Sequence, residues 1–148
     1  MSRKKIVLAS GAFDLLHWGH VMYLEEAKKA GGEKAELIVI VARDATIEKT
    51  KGKKPVIPED QRRSLVEALR MVDEAILGYE ELEIGKVIEK IRPDVIAIGY
   101  DQSNIEEEVR RVVKEKELSV QIVKVGKFGR DNMNSSSKIK RKIVDSWI

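Results

Sequence analysis

Five short apolar runs punctuate the chain: Ile6 to Ser10, Ala35 to Ala42, Ala75 to Leu77, Val95 to Ile98 and Val120 to Val125. Each is too short for a buried helix and reads as a strand, and the nearly all-apolar runs from Ile6 to Ser10 and from Ala35 to Ala42 read as strands covered on both sides. Between them the period changes to that of a helix. Residues 19 to 30 carry Val21, Leu24 and Ala27 on one face and stop at Gly31-Gly32. Pro58, followed by Glu59 and Asp60, opens a second helix that carries Leu65, Val66, Leu69 and Val72 inward. Residues 82 to 91 repeat the period through Ile84, Val87, Ile88 and Ile91, and Pro93 closes them. Ile105, Val109, Val112 and Val113 mark another helix. Ser135-Ser136-Ser137 caps a last one with Ile139, Ile143 and Trp147 on one face. The polar stretch from Glu48 to Lys54 has too little apolar content to pack and reads as a mobile loop. Strict alternation of strand and helix implies one α/β domain over residues 1–148, with a parallel sheet, right-handed crossovers and helices on both faces.

Composition removes several function classes. At 148 residues and 43% hydrophobic content the chain builds one proper core and not two. No apolar run approaches the ~18 residues of a membrane span, and Met1-Ser2-Arg3-Lys4-Lys5 leads into a strand, so a cytoplasmic protein with no membrane partner is expected. Cysteine is absent, which excludes disulfides, zinc-thiolate sites and thiol nucleophiles. The 28 basic and 25 acidic residues leave a net charge of +3, a mixed surface and not a nucleic-acid footprint.

The chain's two histidines stand three apart in Gly11-Ala12-Phe13-Asp14-Leu15-Leu16-His17-Trp18-Gly19-His20, where the first strand gives way to the first helix. Strand C-termini and a helix N-terminus meet there, and the free N–H groups and positive dipole end favour an anion. Gly11 allows close approach of the backbone to a phosphate, Phe13 anchors the loop, and Asp14 bonds nearby backbone N–H groups to fix the turn. Imidazoles donate to phosphate oxygens, and Gly19 leaves room between them.

This decapeptide resembles the Gly-x-Phe-Asp-x-x-His-x-Gly-His motif of the HxGH nucleotidyltransferases, especially their cytidylyltransferase-like branch. The resemblance implies a Rossmann-like sheet of order 3-2-1-4-5, and it makes Gly11, Ala12, Phe13, His17, Trp18, Gly19 and His20 nucleotide-binding. Three further segments are similar to that family's. A lysine-containing loop precedes Pro58, with Lys51 and Lys53 as its lysines, and counting back from Arg70-Met71-Val72-Asp73-Glu74 places the family's phosphate-facing arginine at Arg62. Taken alone, such a basic loop reads first as a solvated face, and the register with Arg62 brings the two readings level. Gly99-Tyr100-Asp101 matches a Gly-x-Asp element, with Asp101 bonding a ribose hydroxyl, assisting a metal ion or simply capping a helix. Gly129 to Ile139 resembles an Arg-Thr-x-Gly-Ile-Ser-Thr-Thr-x-Ile segment, with Arg130 on phosphate and Ser135, Ser136 and Ser137 as hydroxyl donors at a helix N-terminus. It departs from that segment at Met133 and Asn134, where the family has glycine and isoleucine.

The implied reaction is in-line attack of an acceptor phosphate on the α-phosphorus of a nucleoside triphosphate, with no covalent intermediate. The implied catalytic residues are His17, His20 and Arg130, and Mg²⁺ bridges the phosphates with few protein ligands. Ala42-Arg43-Asp44, Pro55 to Arg62 and Ile98 to Gln102 are similar to the archaeal FAD synthetases of this family, which implies ATP and FMN as substrates. Glycerol-3-phosphate cytidylyltransferases share the decapeptide but carry Gly-Asp-Asp-Trp where Gly99-Tyr100-Asp101-Gln102 stands. A nucleotide-binding module without turnover is the other alternative. Phe128 either stacks on adenine or packs its own loop, and Tyr23, Tyr79, Tyr100 and the two tryptophans are the other aromatic candidates for a flavin platform. Relatives imply a homodimer.

Overall fold

A computed structural model describes residues 3–79, 83–126 and 135–147. The apolar runs form strands β1 (Ile6–Gly11), β2 (Glu36–Val41), β3 (Glu74–Leu77), β4 (Val95–Ile98) and β5 (Gln121–Lys124). They make one five-stranded sheet of order β3-β2-β1-β4-β5, parallel throughout. This is the expected order. β1 lies at its centre, pairing Val7 with Leu37 on one side and with Val95 on the other. The chain leaves β1 toward β2 and returns from β3 to β4, so the order reverses between β1 and β4. Ligands of open α/β sheets bind outside the carboxyl ends of the strands at such a reversal.

The helices are α1 (Trp18–Ala30), α2 (Asp44–Lys51), α3 (Glu59–Glu67), α4 (Ile84–Ile91), α5 (Ser103–Glu115) and α6 (Ser136–Trp147). One core holds Val7, Ala9, Val39 and Val95 against Leu24 and Ala27 of α1 and Val66 of α3. The other holds Leu8, Ile38, Ile96 and Ile98 against Ile88 of α4 and Val109 of α5. Alternate residues of each strand thus face opposite cores, as the pleat demands. α4 ends at Arg92 with φ 52°, because Pro93 bars the residue before it from helical backbone.

Two expectations are corrected. The stretch from Glu48 to Lys54 is not a mobile loop throughout: Asp44–Lys51 is helical, held by the buried Ile47 and stopped by left-handed Gly52 at φ 74°. One buried isoleucine anchors a helix that its charged remainder conceals. Leu65 points to solvent while Val66 is buried, because α3 ends at Glu67 and turns only its Arg62 and Val66 side inward. On α6 no residue is buried, and Ile143, Val144 and Trp147 are exposed. Among the described residues no helix is long and apolar enough to cross a membrane.

Candidate active site

The turn between β1 and α1 is built by reciprocal capping. His17 is the N-cap of α1, and its Nδ1 accepts from the Gly19 N–H at 3.1 Å. In return the His17 N–H donates to Nδ1 of His20 at 3.3 Å. This is a capping box with imidazoles in place of the usual hydroxyl and carboxylate. The two rings stack, centroids 3.8 Å apart, and the Phe13 ring leans on His20 at 5.3 Å. An Nδ1 that accepts carries no proton, so each neutral ring holds its proton on Nε2, the nitrogen left to donate. Both rings are kept neutral. Burial lowers the pKa of His17, and burial, His17 and Lys51 push His20 down to about 3 against the opposing pull of Asp14. The histidines are therefore uncharged donors at a helix N-terminus.

Gly11 has a different reason from the one its position suggests. A Cβ there would stand 3.0 Å from the Phe13 ring, so the glycine makes room for the aromatic anchor. Phe13 and Leu15 both sit in left-handed backbone, φ 55° and 51°, on either side of Asp14. Such backbone strain persists only where the surroundings over-determine it. Asp14, 6% exposed, supplies that determination. Its carboxylate accepts from Val56 N at 2.8 Å and Ile57 N at 2.9 Å, and pairs with Lys140 of α6 at 3.3 Å. The expected nearby backbone partners are thus replaced by ones 42 and 43 residues away. Burial alone would raise the Asp14 pKa, but the Val56 and Ile57 N–H groups and Lys140 outweigh it and hold the carboxyl below its usual range. The Asp14 carbonyl also accepts from the Ser136 hydroxyl, which ties α6 to the same turn.

A single cavity of about 850 Å³ opens over the carboxyl end of the sheet. It brings together Gly11, Ala12, Phe13, His17, Gly19 and His20, with Lys51 and Lys53 from α2 and its exit. Asp101 lines it beyond β4, and Ser135, Ser136 and Ser137 line it at the start of α6. Ser135 accepts from the Lys138 N–H at 3.2 Å, so one hydroxyl caps the helix and a second holds the turn. Asp101 is not the cap of α5, whose N-cap residue is Gln102.

Two expected contacts are not made. Arg62 is fully buried and takes no part in lining the cavity. Its guanidinium donates to the carbonyls of Ile57, Ala12 and Ala42 and to the Asp44 carboxylate, at 2.7 to 2.8 Å. It fastens the ends of β1 and β2 to α2 and α3 instead of facing a phosphate. Trp18 is 62% exposed and lies outside the cavity, because the first helical position after the cap turns away from the sheet. Phe128 and Arg130 lie outside the described residues.

Sequence reasoning offered Tyr23 only as a candidate flavin platform and gave no role to Gln102 or Lys140. Gln102 accepts from Gly99 N at 2.8 Å and donates to Ser10 O at 2.8 Å, bridging β4 to β1 at the reversal point. Tyr23 donates to Ala97 O at 3.1 Å beneath it, and burial raises its phenol pKa. Lys140 also lines the cavity; its place four residues after Ser136 on α6, on the same helix face, is the signal that could have found it.

Comparison with known proteins agrees with this geometry. The cytidylyltransferase-like family model matches residues 8–142. The chain belongs to the cytidylyltransferase-like family. Within it, the FAD synthase of Aciduliprofundum boonei is 45% identical over 139 residues, 94% of this chain and 90% of its own. The FAD synthase of Ferroglobus placidus is 49% identical over 140 residues, 95% and 88% of the two chains. A crystal structure described as a lipopolysaccharide core biosynthesis protein of Thermoplasma volcanium superposes with a TM-score of 0.75 at 41% identity, covering 84% of this chain and 98% of that one.

Proposed function

We propose that the protein is a cytoplasmic FMN adenylyltransferase, transferring AMP from ATP to FMN to give FAD and pyrophosphate. The observation that carries this reading is the pair of neutral histidines, each with Nδ1 spent on the helix cap, at the N-terminus of α1 in a cavity walled by lysines. The names of the relatives supply the substrates. An oxygen of the FMN phosphate, ionised at neutral pH, attacks the α-phosphorus of ATP. The new P–O bond forms as the bond to the β-phosphate oxygen breaks, and that electron pair leaves with pyrophosphate. No general base is needed, so the protein positions the groups and offsets charge on the crowded phosphorus.

His17 and His20 donate from Nε2 to the oxygens of the transferring phosphoryl group, beside the dipole end of α1. Being uncharged in the free enzyme, they hold geometry without drawing the attacking phosphate away from phosphorus. Lys51, Lys53 and Lys140 face the remaining phosphates, Arg130 is assigned to them by the family motif, and Ser137 joins the pyrophosphate side. Among the described residues no three histidine or carboxylate side chains stand together as a metal cage. Asp101 is the cavity carboxylate that would help hold a Mg²⁺ ion brought in with the triphosphate. When bound, the ion supplies charge neutralisation of the phosphate oxygens.

Pyrophosphate release, measured with ATP or CTP against FMN or glycerol 3-phosphate, tests the assignment. Release from ATP only when FMN is present is expected. Release from CTP with glycerol 3-phosphate alone would overturn it, and no release with any pair would make the domain a nucleotide-binding module.

A further inference from the structure

β1 and β4 part before either strand ends. Their pairing joins Val7 to Val95 and Leu8 to Ile96 and then stops, although β1 runs on to Gly11 and β4 to Ile98. On its other side β1 stays paired with β2 as far as Gly11 and Val41, so the parting is confined to the point where the strand order reverses. Carried forward, the same register sets Ser10 opposite Ile98. In a parallel ladder that step makes two bonds, from the Ser10 N–H to the Ala97 carbonyl and from the Gly99 N–H to the Ser10 carbonyl.

One side chain interrupts each of those bonds. The Tyr23 hydroxyl accepts from the Ser10 N–H at 3.4 Å and donates to the Ala97 carbonyl at 3.1 Å. The Gln102 amide accepts from the Gly99 N–H and donates to the Ser10 carbonyl, both at 2.8 Å. Tyr23 arrives from α1, on the first core, and Gln102 from the start of α5, on the second, so the parted ladder is wedged from both sides of the sheet. The two wedges meet, with 3.5 Å between the hydroxyl and Oε1. Gln102 is the N-cap of α5, yet its side chain caps nothing there. Gly99 makes room for it, since a Cβ would stand 3.2 Å from Gln102 Oε1 and 3.3 Å from Asp101 Oδ1.

A ladder without these insertions closes. Neighbouring strands lie about 4.8 Å apart, and facing N–H and C=O groups bond one another directly. A hydroxyl or an amide inserted into each bond widens the span while every backbone group concerned keeps a partner. The ends held apart carry different parts of the site: β1 leads into the histidine turn, and β4 leads through Gly99 to Asp101. Resting on the reading of the protein as an FMN adenylyltransferase, we infer that Tyr23 and Gln102 are positioning residues for the transfer step. They act through Ser10 and Gly99, fixing how far the histidine turn stands from Asp101 and so where a nucleotide bound between them places its α-phosphorus against His17 and His20. In-line attack is sensitive to that placement, a displacement of about 1 Å costing roughly a hundredfold in rate.

Crystallography and kinetics test this together. Tyr23→Phe removes the hydroxyl alone, and Gln102→Ala removes the amide arm. In a crystal structure of the double variant, direct bonds of about 2.9 Å from the Ser10 N–H to the Ala97 carbonyl and from the Gly99 N–H to the Ser10 carbonyl are expected. In steady-state assays each single variant should lower kcat by about ten- to a hundredfold with the KM values for ATP and FMN near wild type. Calorimetric titration with ATP should give wild-type stoichiometry in both, which separates a slower step from a smaller folded fraction. A parting that persists in the double variant, with water in place of the two side chains, overturns the inference, and so does a closed ladder with kcat unchanged. A raised KM for either substrate at unchanged kcat would make the two residues binding groups and overturn it as well. A ladder that closes in the double variant of a protein whose wild type binds ATP and makes no FAD would keep the wedge and remove the adenylyltransferase reading, so the two failures are distinguishable.

Discussion

Each of the two histidines spends its inner nitrogen on the backbone of the turn and presents the outer one. That economy explains why a chain with two histidines has both within one turn of helix. It also gives them a signature in stability. Both have folded pKa values below the ordinary histidine value of 6.5, His20 at about 3. As pH falls below about 6.5 the unfolded chain takes up protons that the folded one refuses, so stability declines through the window from 6.5 toward 3. Glutamine at the third helical position also returns a bond to the cap N–H, so His20→Gln keeps the cap without the titration. Urea midpoints of wild type should fall between about pH 7 and about pH 5, and those of His20→Gln should fall less. Equal slopes would mean His20 is not held neutral. At this scale the sequence is legible where a motif is contiguous: the decapeptide alone indicated a phosphate turn. It could not show that Nδ1 is occupied in both rings, which depends on the folded turn.

Among the elements, α2 and α3 depend on Arg62 more than on their own apolar content. Its fully buried guanidinium links the exits of β1 and β2 to the Asp44 carboxylate at the start of α2. A lysine offers one point charge where the fork meets four oxygens. Arg62→Lys should therefore lower the unfolding free energy by ~3–5 kcal/mol, as expected when a buried charge loses partners, while the KM for ATP in the surviving folded fraction stays near wild type. A large rise in that KM at unchanged stability would restore Arg62 to the phosphates. Family register placed this arginine on the correct helix but not on its correct duty, because register carries no information about burial. α2 was hidden for a related reason: its single buried side chain, Ile47, is no periodic pattern.

Over the whole molecule, the alternation of apolar runs was enough to predict a parallel sheet with helices on both faces, and the resemblance to the family supplied its order, 3-2-1-4-5. The cavity was legible on its phosphate side only. Its apolar side is lined by isoleucines of the second core, and in sequence isoleucines that line a cavity look like isoleucines that fill a core. The site as a whole is a meeting of α1, α2 and α6 on one turn, with Asp14 as the shared partner of the loop before α3 and of α6. Whether the stacked histidines stabilise adenylyl transfer to FMN is read from the FAD that wild type and His20→Ala form from ATP and FMN, measured by chromatography. Wild type should give FAD and pyrophosphate in equal amounts, and His20→Ala a ~10²- to 10³-fold lower kcat while remaining folded by circular dichroism. Near-normal FAD formation by folded His20→Ala would remove the histidines from the transfer step.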